Sequence, residues 1–231
     1  MKRILLFFIT AVILSSCASN EVANSGDVKQ STIHQQYSIS YDESENVTWA
    51  YATYRFGGSN GTTLVLTKPA EVTFNGDSMR LSTNVVSGAG YNLAYKKPIE
   101  NGRECEFVYI DTEGKKHVNK LKFNPVLMGT PPAEVKKGMP LELPLFTQPL
   151  QHGESLRITL SDTVRTEEFV VENIPTKGKL IVPANVLQPL SGEVTLNISR
   201  VSSIPLQSAT EVGGGISFVY TLKPRRLTVV E

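Results

Sequence analysis

The sequence predicts an all-β chain folded as two sandwich domains in tandem. Three observations carry this. Short runs rich in Val, Ile, Thr, Tyr and Phe recur every 8–12 residues with turn residues between them, the texture of an all-β sandwich. No stretch after residue 33 sustains a helical period. A proline-rich break at Asn124–Ala133, holding Pro125, Gly129, Pro131 and Pro132, separates two such series, because proline stiffens a connection and cannot donate to a strand ladder.

Taken in order, the chain opens with Lys2 and Arg3, an apolar run from Ile4 to Leu14 broken by Thr10, and then Ser15, Ser16 and Cys17. These are the three parts of a secretory signal. The run is too short for a spanning helix, which needs about 20 apolar residues. Leu14-Ser15-Ser16-Cys17 resembles the bacterial lipobox cut by signal peptidase II. That resemblance implies a signal peptide at 1–16, cleavage before Cys17, and lipid on the Cys17 sulfur and new amino group. Two or more acyl chains hold a protein stably where one does not. Ala18 stands where an Asp would mark inner-membrane retention, so the resemblance implies the outer membrane. Residues 17–32 are small and polar without period, which predicts a flexible tether spanning about 20 Å.

The first domain is expected over 33–128. Tyr37, Ile39 and Tyr41 alternate with serines, and Val47–Phe56 is aromatic and β-branched. Gly57–Gly61 breaks that run, Thr62–Thr67 resumes it and Pro69 stops it. Asn75-Gly76 is a turn signal after Val72 and Phe74. Met79–Thr83 and Tyr91–Tyr95 follow. Between Glu104 and Phe123 a loop at Thr112-Glu113-Gly114 sets Cys105 opposite Leu121, Phe107 opposite Asn119 and Tyr109 opposite His117. That register gives one apolar face and a second face pairing Glu106 with Lys120 and Glu104 with Lys122.

A linker is expected at 129–133 and the second domain over 134–231. Leu141, Leu143 and Leu145 alternate between Pro140 and Pro144, as in an edge strand. Leu156–Leu160, Phe169–Val171, Leu180–Val182, Val194–Ile198, Ile216–Leu222 and Leu227–Val230 complete the series. Pro183–Leu190 has room for one helical turn, and Gly213-Gly214-Gly215 reads as a loop or bulge. The two halves together look like tandem immunoglobulin-like domains behind a lipoprotein signal. Trp49 lacks the flanking cysteine pair of antibody domains.

The chain carries 23 Lys and Arg against 22 Asp and Glu, a net +1. Losing Lys2 and Arg3 with the signal brings the balance to −1. This gives no electrostatic reason to bind nucleic acid. With Cys17 lipidated, Cys105 stands alone and no internal disulfide forms.

Few residues point to chemistry. Gly57–Gly61 precedes a strand and contains no Lys, so it reads as a hairpin loop and not a phosphate cradle. Cys105 lies about 13 Å along the hairpin from His117, which predicts a core thiol. His34, His117 and His152 lack metal-ligand spacing and read as surface or rim residues. Asp42, Glu43 and Glu45, like Asp111 and Glu113, read as solvated turns. No Gly-x-Ser-x-Gly elbow occurs, and no cofactor or metal is expected. The three Asn-x-Ser/Thr matches, at Asn46, Asn60 and Asn197, carry no glycan behind a bacterial anchor.

One aromatic concentration remains: Tyr37, Tyr41, Trp49, Tyr51 and Tyr54. Its plain reading is sandwich core; exposed, it would stack on sugars or peptides. Trp49 and Tyr51 share a strand face with Val47, while Tyr54 points the other way. Any binding surface of the first domain is expected there. The sequence therefore points to a non-enzymatic, lipid-anchored envelope module whose partner is a protein or a glycan. An open edge strand could also serve assembly. The alternative is an envelope hydrolase with carboxylates gathered from several loops.

Overall fold

A computed structural model describes residues 21–99, 102–122, 124–172 and 178–231. The signal and Cys17 lie outside the described residues. Among those residues the chain is all-β, and no helix is long and apolar enough to cross a membrane.

The first half contributes β1 (Val22–Asn24), β2 (Ile33–Asp42), β3 (Val47–Phe56), β4 (Thr62–Val65), β5 (Glu71–Phe74), β6 (Asp77–Ser78), β7 (Arg80–Asn84), β8 (Gly88–Tyr95), β9 (Glu104–Ile110) and β10 (Lys116–Lys122). One sheet runs β1-β4-β3-β2, with β8 and then β7 continuing from β3; the other runs β10-β9-β5-β6. They face each other through aromatic rings. Tyr37 stacks on Phe107 at 4.7 Å between centroids, and Tyr54 meets Tyr109 at 4.5 Å. The rings fit because β3 turns small residues inward: Ala52 lies opposite Tyr37, and Ala50 opposite Ile39. Large-against-small pairing of this kind fills a core without voids.

The hairpin of β9 and β10 takes the expected register, with Cys105 opposite Leu121, Phe107 opposite Asn119 and Tyr109 opposite His117. Gly114 in its turn has φ +81°. Lys120 bonds Glu104 at 2.7 Å on the wet face. Asn75 and Gly76 both take positive φ in the β5–β6 turn, as a tight hairpin requires.

The second half contributes β11 (Glu134–Lys136), β12 (Leu141–Pro144), β13 (Glu154–Ser161), β14 (Thr166–Val171), β15 (Lys179–Val182), one helical turn α1 (Ala184–Leu187), β16 (Gly192–Pro205), β17 (Gly214–Thr221) and β18 (Arg225–Val230). Its large sheet runs β17-β16-β13-β14, with β18 alongside β16 and β11 beyond β18. Strands β12 and β15 form the smaller sheet. Leu141, Leu143, Leu180 and Val182 bury against Leu156, Ile158, Leu196 and Ile198 in one continuous core.

Two features depart from the sequence expectations. The tether expected over 17–32 does not extend through residues 22–32. There β1 pairs in parallel with β4, Ser25 is buried, and Gln30 donates from Nε2 to the carbonyls of Ser25 and Val28 at 2.7 and 2.9 Å. A polar stretch without period can still be ordered when an open strand edge supplies its hydrogen bonds.

The second departure is that the halves share a sheet. β2 and β17 pair in parallel from Gln35 against Gly214 to Asp42 against Thr221. Beyond that seam, the loop after β16 continues the contact with β10. Gln207 exchanges hydrogen bonds with the backbone of Lys120 through its side-chain amide, and Asn119 does the same with Ser208.

Candidate functional site

The five aromatic candidates divide between the two faces of one sheet. Tyr37 and Tyr54 are fully buried and Tyr41 nearly so. They belong to the core, which corrects any surface role for these three. Their burial follows from the pleat, since they share a face with Ile33, Ile39, Ala50 and Ala52. Burial raises the Tyr37 and Tyr54 phenols above their ordinary value.

Trp49 and Tyr51 point the other way. Tyr51 is 40% exposed and Trp49 partly so. Their rings are near parallel, 19° apart with centroids at 5.8 Å. Here β3 gives Ala50 and Ala52, with Tyr54, to the core and turns Trp49 and Tyr51 toward water. Folding alone does not call for that arrangement, because burying an aromatic ring is favourable by about 1.5–3 kcal/mol.

The neighbours of this pair are small or polar. Ser40 and Ser38 lie opposite Trp49 and Tyr51 on β2; Ala94 and Asn92 lie opposite them on β8; Arg80 follows Asn92 on β7. Beside Tyr51 the small residues Ser82 and Gly90 leave a hollow of about 340 Å³, bounded by Thr53, Arg55 and Asn84.

A second concavity, about 580 Å³, opens at the seam between the halves. Leu121 and Lys122 come from β10, and Asn124 follows them. Gln148, Gln151 and His152 come from the loop before β13, and Ser202 and Ile204 from β16. Behind it sits a buried ion pair that the sequence reading missed. Arg200 is fully buried and bonds Glu154 through Nη2. Arg200 also donates to Thr147 Oγ1 at 3.0 Å and to the carbonyls of Gln148 and Pro149 at 3.1 and 3.2 Å. Glu154 accepts from Asn124 Nδ2 at 3.2 Å and from the Gln151 amide at 2.7 Å. The signal was present: Val194, Leu196 and Ile198 alternate inward, and the same period carries on to Arg200 and Ser202.

The other candidates resolve individually. Cys105 is fully buried, and burial pushes its thiol up to about 11, so it is a core residue. His117 is not a rim residue. It is buried, stacked on Tyr109 at 5.6 Å, with Nε2 3.7 Å from Asp111. Burial, then the Lys115 charge, lowers its pKa against the opposing pull of Asp111. Asp111 is likewise buried, not solvated. Its Oδ1 accepts the Glu113 and Lys115 amides at 3.0 and 2.8 Å and so shapes the hairpin turn. Among the described residues no three His, Cys, Asp or Glu are grouped to hold a metal. Retaining or inverting hydrolysis needs two carboxylates about 5–9.5 Å apart. Among the described residues the seam cleft is lined by one carboxylate, Glu154, which Arg200 holds.

No family model matches the chain, and no curated protein matches it. Among solved structures, the FN1–FN3 domains of chicken CNTN1 are similar at 9% identity and a TM-score of 0.25, over 85% of this chain and 66% of that one. SGBP-B of the Bacteroides ovatus mixed-linkage glucan utilization locus, solved with a mixed-linkage heptasaccharide, is similar at 14% identity and a TM-score of 0.24. That match covers 93% of this chain and 47% of SGBP-B. The chain thus spans less than two thirds of either neighbour's length.

Proposed function

We propose that the protein is a non-enzymatic, lipid-anchored carbohydrate-binding module of a bacterial cell envelope. Its two sandwich domains, 33–128 and 134–231, are joined at 129–133. The observation that carries this reading is the near-parallel Trp49–Tyr51 pair on the water side of β3, while Ala50 and Ala52 fill the core side. A sugar ring has an apolar C–H face and a polar rim. The aromatic rings suit the first, and Ser38, Ser40 and Asn92 suit the second. A rigid sheet holds the rings in place, so little side-chain freedom is lost on binding.

Trp49 is the only tryptophan, so its fluorescence reports on this face directly. Titration with neutral gluco-, xylo- and manno-oligosaccharides is expected to give a saturable change in Trp49 emission with at least one of them. Tyr51→Ala is expected to weaken that binding about fivefold to tenfold, the equivalent of about 1–1.4 kcal/mol. Emission that stays unchanged across the whole panel would sink the reading.

Lipid on Cys17, and the outer membrane as its site, belong to the same proposal and rest on the Leu14–Cys17 motif. Cys17→Ala is expected to move the protein from the membrane fraction to the soluble fraction after a high-salt wash. Retention in the washed membrane would show that another element anchors it.

A further inference from the structure

The seam cleft is a built site, separate from the Trp49–Tyr51 face. An ion pair removed from water is costly and adds little net stability. The Arg200–Glu154 pair nevertheless sits buried, and apart from one bond from Asn124 its remaining bonds go to a single segment. Arg200 grips Thr147, Gln148 and Pro149, and Glu154 grips the Gln151 amide. The pair therefore sets the backbone of 147–151, and with it the positions of Gln148 and Gln151 in the cleft wall. Arg200 is a positioning residue here, as an outer shell is for a first shell of ligand contacts.

The chemistry of the wall narrows the ligand. Gln148 and Gln151 carry side-chain amides, which donate and accept and so suit vicinal hydroxyls. Leu121 and Ile204 supply apolar surface. Arg200 neutralises Glu154, the one carboxylate among the wall's described residues. Across the cleft, Lys122 has no carboxylate within ion-pair distance among the described residues, and it is exposed. Among the described residues the wall thus offers amides and one cation, Lys122, outside any ion pair. The volume of about 580 Å³ falls inside the roughly 300–1,000 Å³ usual for small-molecule sites.

We infer that the seam cleft binds an acidic saccharide, a uronic-acid-bearing oligosaccharide, with Lys122 on the carboxylate and Gln148 and Gln151 on the hydroxyls. Because β10 supplies one wall and the β13 and β16 segments the other, the ligand bridges the two halves. The assignment does not depend on the sheet-face reading.

The test is calorimetric titration of the full-length chain in detergent with oligogalacturonate, and with a neutral gluco-oligosaccharide of equal length. Binding of oligogalacturonate that weakens with added salt is expected. Lys122→Gln should weaken it about tenfold or more, the scale of a hydrogen bond to a charged group. Gln148→Ala should weaken it about fivefold, and Trp49→Ala should leave it unchanged. Lys122 is exposed, so its replacement does not threaten folding. The inference is overturned if oligogalacturonate does not bind, if Lys122→Gln binds it as well as the parent chain, if the Trp49→Ala chain binds the neutral oligosaccharide as tightly as oligogalacturonate, or if Trp49→Ala abolishes oligogalacturonate binding.

Discussion

Glu154→Ala is expected to destabilise the protein by about 3–5 kcal/mol, the cost of leaving a buried charge without its partner. Arg200 is fully buried, and its remaining acceptors are one hydroxyl and two carbonyls, all neutral. The guanidinium cannot shed its proton, so the charge remains inside. The measurement is urea denaturation, read as a lowered midpoint at unchanged slope. The double variant Glu154→Leu/Arg200→Met separates charge from packing. It removes both charges at similar volume and is expected to recover most of the loss. Its fold should survive while oligogalacturonate binding falls, because the ion pair no longer fixes Gln148 and Gln151 in the cleft wall. A Glu154→Ala chain as stable as the parent would show that the pair does not carry a buried charge.

Gly214→Val is expected to cost about 3 kcal/mol or more, the sum of a strained backbone and an overpacked contact. A Cβ at Gly214 would lie 1.8 Å from the Gln35 carbonyl oxygen, on the strand against which β17 pairs. Backbone cannot yield as a flexible side chain can. The collision falls at the first pair of the β2–β17 seam, so the damage goes to the junction between the halves. Thermal unfolding of the variant is expected to show two transitions where the parent shows one. Gly138→Ala is the control. Its φ is +77°, but nothing lies within 4 Å of an added Cβ, so it should cost only about 1 kcal/mol. Equal losses in the two variants would mean that close approach at the seam is not what requires glycine at 214.

Much of the fold could be read from periodicity. The β9–β10 register followed from keeping Lys120 and Lys122 off the face that holds Cys105 and Phe107, and the pairing is that one. Polar residues escaped the same logic. His117 and Asp111 were assigned to the surface by residue type, although His117 lies on the Cys105–Tyr109 face by position. Arg200 was passed over because a charged side chain at an inward position looks like the end of a pattern. In both places the pleat was the better guide, because a buried polar group is tolerated wherever partners meet it.

The aromatic cluster shows where one-dimensional reasoning stops. Alternation separates Trp49 and Tyr51 from Tyr54, but it does not say which set faces the core. That depended on Tyr37 and Ile39, whose bulk on β2 needs Ala52 and Ala50 opposite. The seam cleft was hidden more completely, since Lys122, Gln148 and Ser202 lie in three separate segments that alternation treats independently.

Alternation and turn chemistry, which act between near neighbours, were enough to dictate an all-β chain and its hairpins. The parallel joining of β2 to β17, the ordering of residues 22–32, the outward Trp49–Tyr51 pair and the Arg200-braced cleft were decided by the fold. Each depends on what a given face or edge meets across the chain. A period of two states which residues lie together, and only packing states what lies against them.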